Sequence, residues 1–416
     1  MGHQVNKIML KLNNWAFLIV VVFFFFDSIR SNLIGGNIIS LFREFVVFYL
    51  ILYTLKKYSK ASQGVIRPSL RCFIAYHIII SLYSLIAEGP VQWSFVIKPL
   101  EFCGILYVFY YYEKLTGKNY SNLIRIIVNT SVIFSIVNVV LYFIPLPIWN
   151  RDEFWWGRIS CGYPTLDVIS QAYAIILLLY YPTLNYSTVK SVFYLMILSA
   201  GIMLNFSGTG TVILFLIMVV SIIPGVLYKR RLKFLSIYII VVISSFSIIV
   251  TYISTNFPNE YQMGIVLLEE KYGNLTGQET GTGNTLETRK EQMEKVSSHN
   301  KNIISILFGQ GLNYATNDDI VMQKYSKAYM IENQFSLIQV CYGYWGLLLF
   351  LYIIFDMSIY TFYKIGDKQY KIMILLAILV FIANSYVLLP FILFPNMIGL
   401  ALFTSLQLLQ SKKIKT

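Results

Sequence analysis

Six arginines and lysines stand out in this chain because they sit where charge is costly. Arg30, Arg43, Lys98, Arg151, Arg158 and Arg289 fall within or beside long apolar runs, or in the loops that join them on one side. Arginine is the residue type suited to bidentate binding of phosphate and pyrophosphate oxygens. A set of arginines at one level therefore suggests a cavity for a lipid-linked pyrophosphate. The alternative is local ion pairing, because Arg43 is followed by Glu44 and Lys98 stands three residues before Glu101. Ionisable groups at such depth persist when they pair or line a wet cavity.

Three segments add chemistry to these cations. The first runs Asn150-Arg151-Asp152-Glu153-Phe154-Trp155-Trp156-Gly157-Arg158-Ile159-Ser160-Cys161-Gly162. Aromatic faces stack on sugar rings, and acid and amide groups hold sugar hydroxyls, so Arg151, Trp155 and Trp156 are candidate substrate-binding residues. An interfacial aromatic belt formed by Trp149, Trp155 and Trp156 is the competing reading. The second is the turn Asn205-Phe206-Ser207-Gly208-Thr209-Gly210-Thr211, whose glycines would let backbone N–H groups approach an anion at the start of a helix; a tight helical hairpin is the favoured reading, and the Gly-Lys-Ser/Thr of a P-loop is absent. The third places Arg289 and His299 before Leu307-Phe308-Gly309-Gln310-Gly311-Leu312. Ile331-Glu332-Asn333-Gln334-Phe335 and Gly343-Tyr344-Trp345-Gly346-Leu347 follow.

The elements that must position these residues are set by composition. Of 416 residues, 57% are hydrophobic and 13% charged, a balance that calls for lipid as solvent. The net charge of +13 falls largely in short segments between apolar runs, which is the pattern of membrane orientation and excludes a nucleic-acid partner. The cysteines Cys72, Cys103, Cys161 and Cys341 form no CxxC pair, and His3, His77 and His299 share no metal-ligand spacing, so neither a disulfide scaffold nor a metal site is expected. Near Trp15 to Phe26 the first apolar run resembles a signal peptide, but Asp27-Ser28-Ile29-Arg30 follows it in place of a small-residue cleavage site. It reads as a retained span.

Runs of about twenty apolar residues cross about 30 Å of hydrocarbon. They predict spans near 12–28, 38–55, 72–88, 94–112, 124–146, 165–183, 191–206, 211–228, 234–254, 333–361, 372–388 and 391–409. The expected class is an all-α polytopic integral membrane protein with about twelve transmembrane helices and one large extracytoplasmic loop. Residues 1–254 hold the first group of helices, 255–332 the large loop, and 333–416 the remaining helices and tail. Clusters at Lys7/Lys11, Lys56–Arg71, Lys114–Arg125, Lys229–Lys233, Lys364–Lys371 and Lys412–Lys415 all fall on one side of this arrangement, which puts both termini in the cytoplasm. Within the loop, Leu286, Met293, Val296, Ile303 and Leu307 recur at mostly helical spacing and predict a short amphipathic helix from Leu286 to Phe308. No sequence repeat of about 20–50 residues is present.

These segments together resemble the bacterial O-antigen polymerase family (Wzy-type), within the group that also holds O-antigen ligases. The resemblance rests on Arg289 in the large loop, Phe308-Gly309-Gln310-Gly311 some twenty residues on, the polar pair Glu332-Asn333, Gly343-Tyr344-Trp345-Gly346, and the Arg151 and Arg158 loop ending at Gly162. Glu332 stands where ligases usually carry histidine, which favours polymerase, and Ser207 is followed by Gly208 where many relatives place arginine. The resemblance implies a glycosyltransferase of the bacterial inner (plasma) membrane that joins undecaprenyl-pyrophosphate-linked oligosaccharides in O-antigen or capsule synthesis. It implies no cofactor or metal, and a chain-length regulator as a possible protein partner. It also implies roles: Arg158 and Arg289, with Arg151 in reserve, on the leaving pyrophosphate; Glu332, or else His299, on the attacking hydroxyl; Asn333 in substrate binding. A lipid-linked oligosaccharide flippase and an O-antigen ligase share the expected topology. The large loop with Arg289 speaks against the flippase.

Overall fold

The computed structural model describes residues 2–30, 36–58, 64–87, 89, 91, 93–143, 164–184, 186–204, 208–222, 229–256, 258–259, 261–262, 265–266, 294–295, 302–316, 334–387 and 394–413. The protein is all-α, with 91% helix and no strand among the described residues. In chain order the helices are α1 (Gly2–Arg30), α2 (Gly36–Tyr58), α3 (Pro68–Ala87), α4 (Trp93–Tyr110), α5 (Tyr112–Thr116), α6 (Tyr120–Phe143), α7 (Pro164–Tyr180), α8 (Thr188–Leu204), α9 (Gly208–Ile222) and α10 (Lys229–Asn256). The short α11 (Ile303–Phe308) and a 3₁₀ turn (Leu312–Thr316) precede α12 (Gln334–Lys364), α13 (Lys368–Val387) and α14 (Phe394–Lys413).

Helices lie over all twelve apolar runs of the sequence. Among the described residues, five are long and apolar enough to cross a membrane: Pro68–Ala87, Trp93–Tyr110, Tyr120–Val137, Gln334–Lys364 and Lys368–Ser385. Shorter apolar helical stretches include Val168–Tyr180, Thr188–Leu204 and Val242–Asn256. Large apolar side chains stand on the outside of the bundle, among them Ile79, Ile86, Leu348 and Phe355. Such a surface is stable with lipid, not water, as its solvent.

The centre of the bundle is built by α4, α7 and α14. Nearly every residue of α7 from Val168 to Tyr180 and of α14 from Met397 to Leu406 is buried. Close approach there depends on Gly399: a Cβ at that position would stand 2.2 Å from Cε2 of Tyr173, which also packs against Phe403. Small residues at such contacts let apolar helices gain dispersion energy without a hydrophobic driving force.

The ends of α2, α4, α5 and α14 meet in a basic, tyrosine-rich end of the bundle. Tyr58 stacks on Tyr111 with ring centroids 4.6 Å apart, Lys114 lies near both rings, and Lys412 stands 4.9 Å from the Tyr110 ring. The α5 turn was not anticipated from the sequence. It forms because Gly117, at φ 69°, closes the helix in the left-handed region that glycine tolerates. Its last carbonyls are taken by α1, through Asn13 Nδ2 to Leu115 O and Asn14 Nδ2 to Thr116 O. At the same end of α3 and α12, Arg67 and Ser69 both donate to Asp356, and the Arg67 guanidinium stacks 4.0 Å over Tyr360.

Candidate functional site

At the opposite end, a helix–turn–3₁₀ hairpin dips between α3 and α12. Asn302 caps α11 by accepting from the Ile304 N–H at 3.2 Å. The helix is six residues long and every one is apolar or serine; Ile303, Ile304, Leu307 and Phe308 are exposed on it. The single amphipathic helix expected from Leu286 to Phe308 is interrupted: Asn302, at φ −98° and ψ 136°, is extended, and a new apolar helix starts at Ile303; of the earlier part only 294–295 and 302 are among the described residues.

The hairpin docks onto a break in α12. Gly343 has φ 67° and ψ −168°, a conformation essentially confined to glycine. A break of this kind leaves the carbonyls of the preceding turn without the N–H groups that would continue the helix. Each of the three nearest is satisfied from elsewhere. Val340 O accepts from Gln310 N–H at 2.8 Å, and Cys341 O from Gly311 N–H at 3.2 Å. Tyr342 O accepts from the Tyr76 hydroxyl at 2.8 Å. Phe308 O lies 3.0 Å from the same hydroxyl, so its one proton is shared between the two carbonyls as a three-centre bond that joins the hairpin tip to the break. At the start of the 3₁₀ turn, Leu312 N–H donates to Ser84 Oγ at 2.7 Å.

Steric fit makes the joint specific. A Cβ at Gly309 would stand 2.4 Å from Cys341 O, and a Cβ at Gly343 would stand 2.4 Å from Leu307 O. The Phe308-Gly309-Gln310-Gly311 turn and the Gly343-Tyr344-Trp345-Gly346 element therefore interlock backbone to backbone.

His77 completes the joint from α3. Its Nε2 lies 2.9 Å from Val96 O and its Nδ1 lies 2.9 Å from the Tyr342 hydroxyl. A carbonyl can only accept, so Nε2 carries the proton; in the neutral ring Nδ1 then accepts from Tyr342. Between α3, α4, the 3₁₀ turn and α12 lies a narrow cavity lined by Phe95, Pro99, Leu312, Gln334 and Cys341, among others. Gln334 is buried there, and its Oε1 has no hydrogen-bond partner among the described residues.

A buried charge cluster sits on another face of α4. Lys98 Nζ lies 2.6 Å from Glu44 Oε1 and 2.5 Å from Glu101 Oε2, while Arg43 lies 2.5 Å from Glu44. Two cations and two carboxylates join α2 to α4. For Arg43 and Lys98, the ion pairing foreseen in the sequence is what the structure displays.

The remaining sequence candidates lie outside the described residues: Arg151, Trp155, Trp156 and Arg158 in one segment, Arg289 and His299 before α11, and Glu332 and Asn333 directly before α12. The side chain of Arg30 and the Asn205–Ser207 part of the glycine turn are likewise outside them. Sequence reading missed Tyr76, His77 and Ser84. The available signal was a histidine in the middle of an apolar run, which demands partners wherever it is buried. No group of three or more His, Cys, Asp or Glu side chains able to hold a metal occurs among the described residues. No family model matches the chain, and no curated protein matches it by sequence.

Proposed function

We propose that the protein is a membrane-embedded glycosyltransferase that polymerises oligosaccharide repeat units carried on undecaprenyl pyrophosphate. In this reading the helices over the twelve apolar runs cross the plasma membrane, the lysine-rich tyrosine end faces the cytoplasm, and residues 255–332 lie outside it. The α11 hairpin is then a re-entrant piece of the large loop, permitted at membrane depth because its backbone groups are satisfied by α3 and α12.

The observation that carries the proposal is the joint at Gly309 and Gly343. The two glycine elements on which the family resemblance rests are separated in sequence by the segment holding Glu332 and Asn333, yet they meet in space. The hairpin that follows Arg289 in sequence and the helix that follows Glu332 are fastened to each other at this place. Such anchoring suits a loop whose polar residues must be held over a lipid-linked substrate.

In the reaction, the bond between the growing saccharide and pyrophosphate breaks as a hydroxyl of the incoming unit attacks the anomeric carbon. Undecaprenyl pyrophosphate leaves with its negative charge, and the hydroxyl proton passes to a base. Arg289 and Arg158 stabilise the leaving pyrophosphate, with Arg151 in reserve. Glu332 receives the proton, or else His299 does. Trp155, Trp156 and Asn333 hold the sugars.

Deleting the gene in its host and resolving the surface polysaccharide on a gel tests this. The expected result is collapse of a ladder to a single repeat unit on its anchor, restored by wild type and not by Arg289→Ala or Glu332→Ala at equal protein level. Complete loss of repeat units from the surface would sink the proposal in favour of a flippase or ligase.

A further inference from the structure

We propose that Tyr76, in α3, is a positioning residue: its hydroxyl helps hold the re-entrant turn on the break in α12, the two elements that His299 and Glu332 directly precede in sequence. The inference rests on the polymerase reading and deepens it.

Three observations lead to this residue. Tyr76 is the side chain that reaches both halves of the joint, at 3.0 Å to Phe308 O and 2.8 Å to Tyr342 O. Beside it, two bonds across the joint come from the turn's own backbone, from Gln310 N–H to Val340 O and from Gly311 N–H to Cys341 O. Tyr342 is itself held from the far side by His77, which in turn is fixed on Val96 O. The turn keeps its own bonds to Val340 O, Cys341 O and Ser84, so losing the Tyr76 bond loosens it on the break without releasing it. Beneath the turn lies Cys341, which is buried and whose carbonyl accepts from Gly311. Lifting the turn must uncover it.

The chemistry candidates are all at a distance from Tyr76 in sequence. Arg289 and His299 precede the capped start of α11 at Asn302, and Glu332 and Asn333 precede the start of α12 at Gln334. Tyr76 touches none of the described ends directly except through the turn. A loosened turn leaves those residues chemically intact but displaced. Misplacement of reacting groups by about 1 Å costs on the order of 10²-fold in rate. A partial loosening should therefore appear in kcat, while binding of the lipid chain and saccharide, reflected in KM, changes little.

The test is Tyr76→Phe in the full-length protein, purified and reconstituted in liposomes with undecaprenyl-pyrophosphate-linked repeat units. Chain elongation gives kcat and KM, and reaction of Cys341 with a small maleimide, mapped by peptide mass spectrometry, reports the turn. We expect kcat to fall about tenfold with KM within about twofold, and Cys341 to react faster. Ser84→Ala, which frees the Leu312 N–H, should move both readouts in the same direction by less. An unchanged kcat in Tyr76→Phe overturns the positioning role, as does a fall in kcat with Cys341 still protected. If wild type elongates nothing, the polymerase reading has failed first, and the positioning role falls with it.

Discussion

Replacing Gly343 by alanine should disrupt the joint more than any change of similar size elsewhere. Two costs add. The backbone at φ 67° and ψ −168° lies in a region that side-chain-bearing residues occupy at a cost of about 1–3 kcal/mol. The new methyl would also lie 2.4 Å from Leu307 O and 2.5 Å from Gly309 N. Carbon and oxygen ordinarily approach to about 3.3 Å, so turn and helix must part by roughly 1 Å. The bonds to Val340 O, Cys341 O and Tyr342 O, now 2.8–3.2 Å, would stretch beyond useful length. Each contributes about 0.5–1.5 kcal/mol. The total is about 3 kcal/mol or more. Gly64→Ala isolates the conformational part, because Gly64 has φ 99° and nothing within 4 Å of an added Cβ. That change should cost about 1–2 kcal/mol. Thermal midpoints in detergent by fluorescence-detected gel filtration, together with maleimide labelling of Cys341, read the difference. If Gly343→Ala melts like Gly64→Ala and leaves Cys341 protected, the interlock is not what holds the hairpin.

Two further perturbations separate the joint from the rest of the bundle. Lys98→Met leaves Glu44 and Glu101 without the ammonium between them and should destabilise the protein by about 3–5 kcal/mol; adding Glu101→Leu should recover most of the loss, since Arg43 still pairs with Glu44, and the thermal midpoints of the single and double variants decide it. Asp356→Asn at the basic end weakens the contacts of Arg67 and Ser69 that tie α12 to α3. It should lower the midpoint by an amount equivalent to about 1–3 kcal/mol while chain elongation per molecule stays unchanged, because it is remote from the hairpin.

The helical architecture was legible because apolar runs of membrane length leave few alternatives. The run at 333–361 corresponds to Gln334–Lys364, and the run at 72–88 to Pro68–Ala87. The pairing of Arg43 with Glu44 and Lys98 with Glu101 was likewise open to inference from spacing, since a charge at that depth needs a neighbour. Which helix brings the second pair could not be read, because Glu44 reaches Lys98 across 54 positions. The break at Gly343 was hidden for a related reason. A glycine inside an apolar helix is common in close packing, and its sequence carries no sign that its carbonyls will be satisfied by a distant turn. Tyr76 and Ser84 were invisible because their partners are backbone atoms, which have no sequence signature. The family resemblance pointed to both glycine elements without indicating that they touch.

Reconstitution of the purified protein with labelled undecaprenyl-pyrophosphate-linked repeat units, followed by sizing of the released saccharides, tests the central proposal most directly. The account predicts products that lengthen in steps of one repeat unit, with undecaprenyl pyrophosphate released in proportion and both lost in Arg289→Ala. Transfer of intact single units across the bilayer without any lengthening would contradict it and assign the protein to transport.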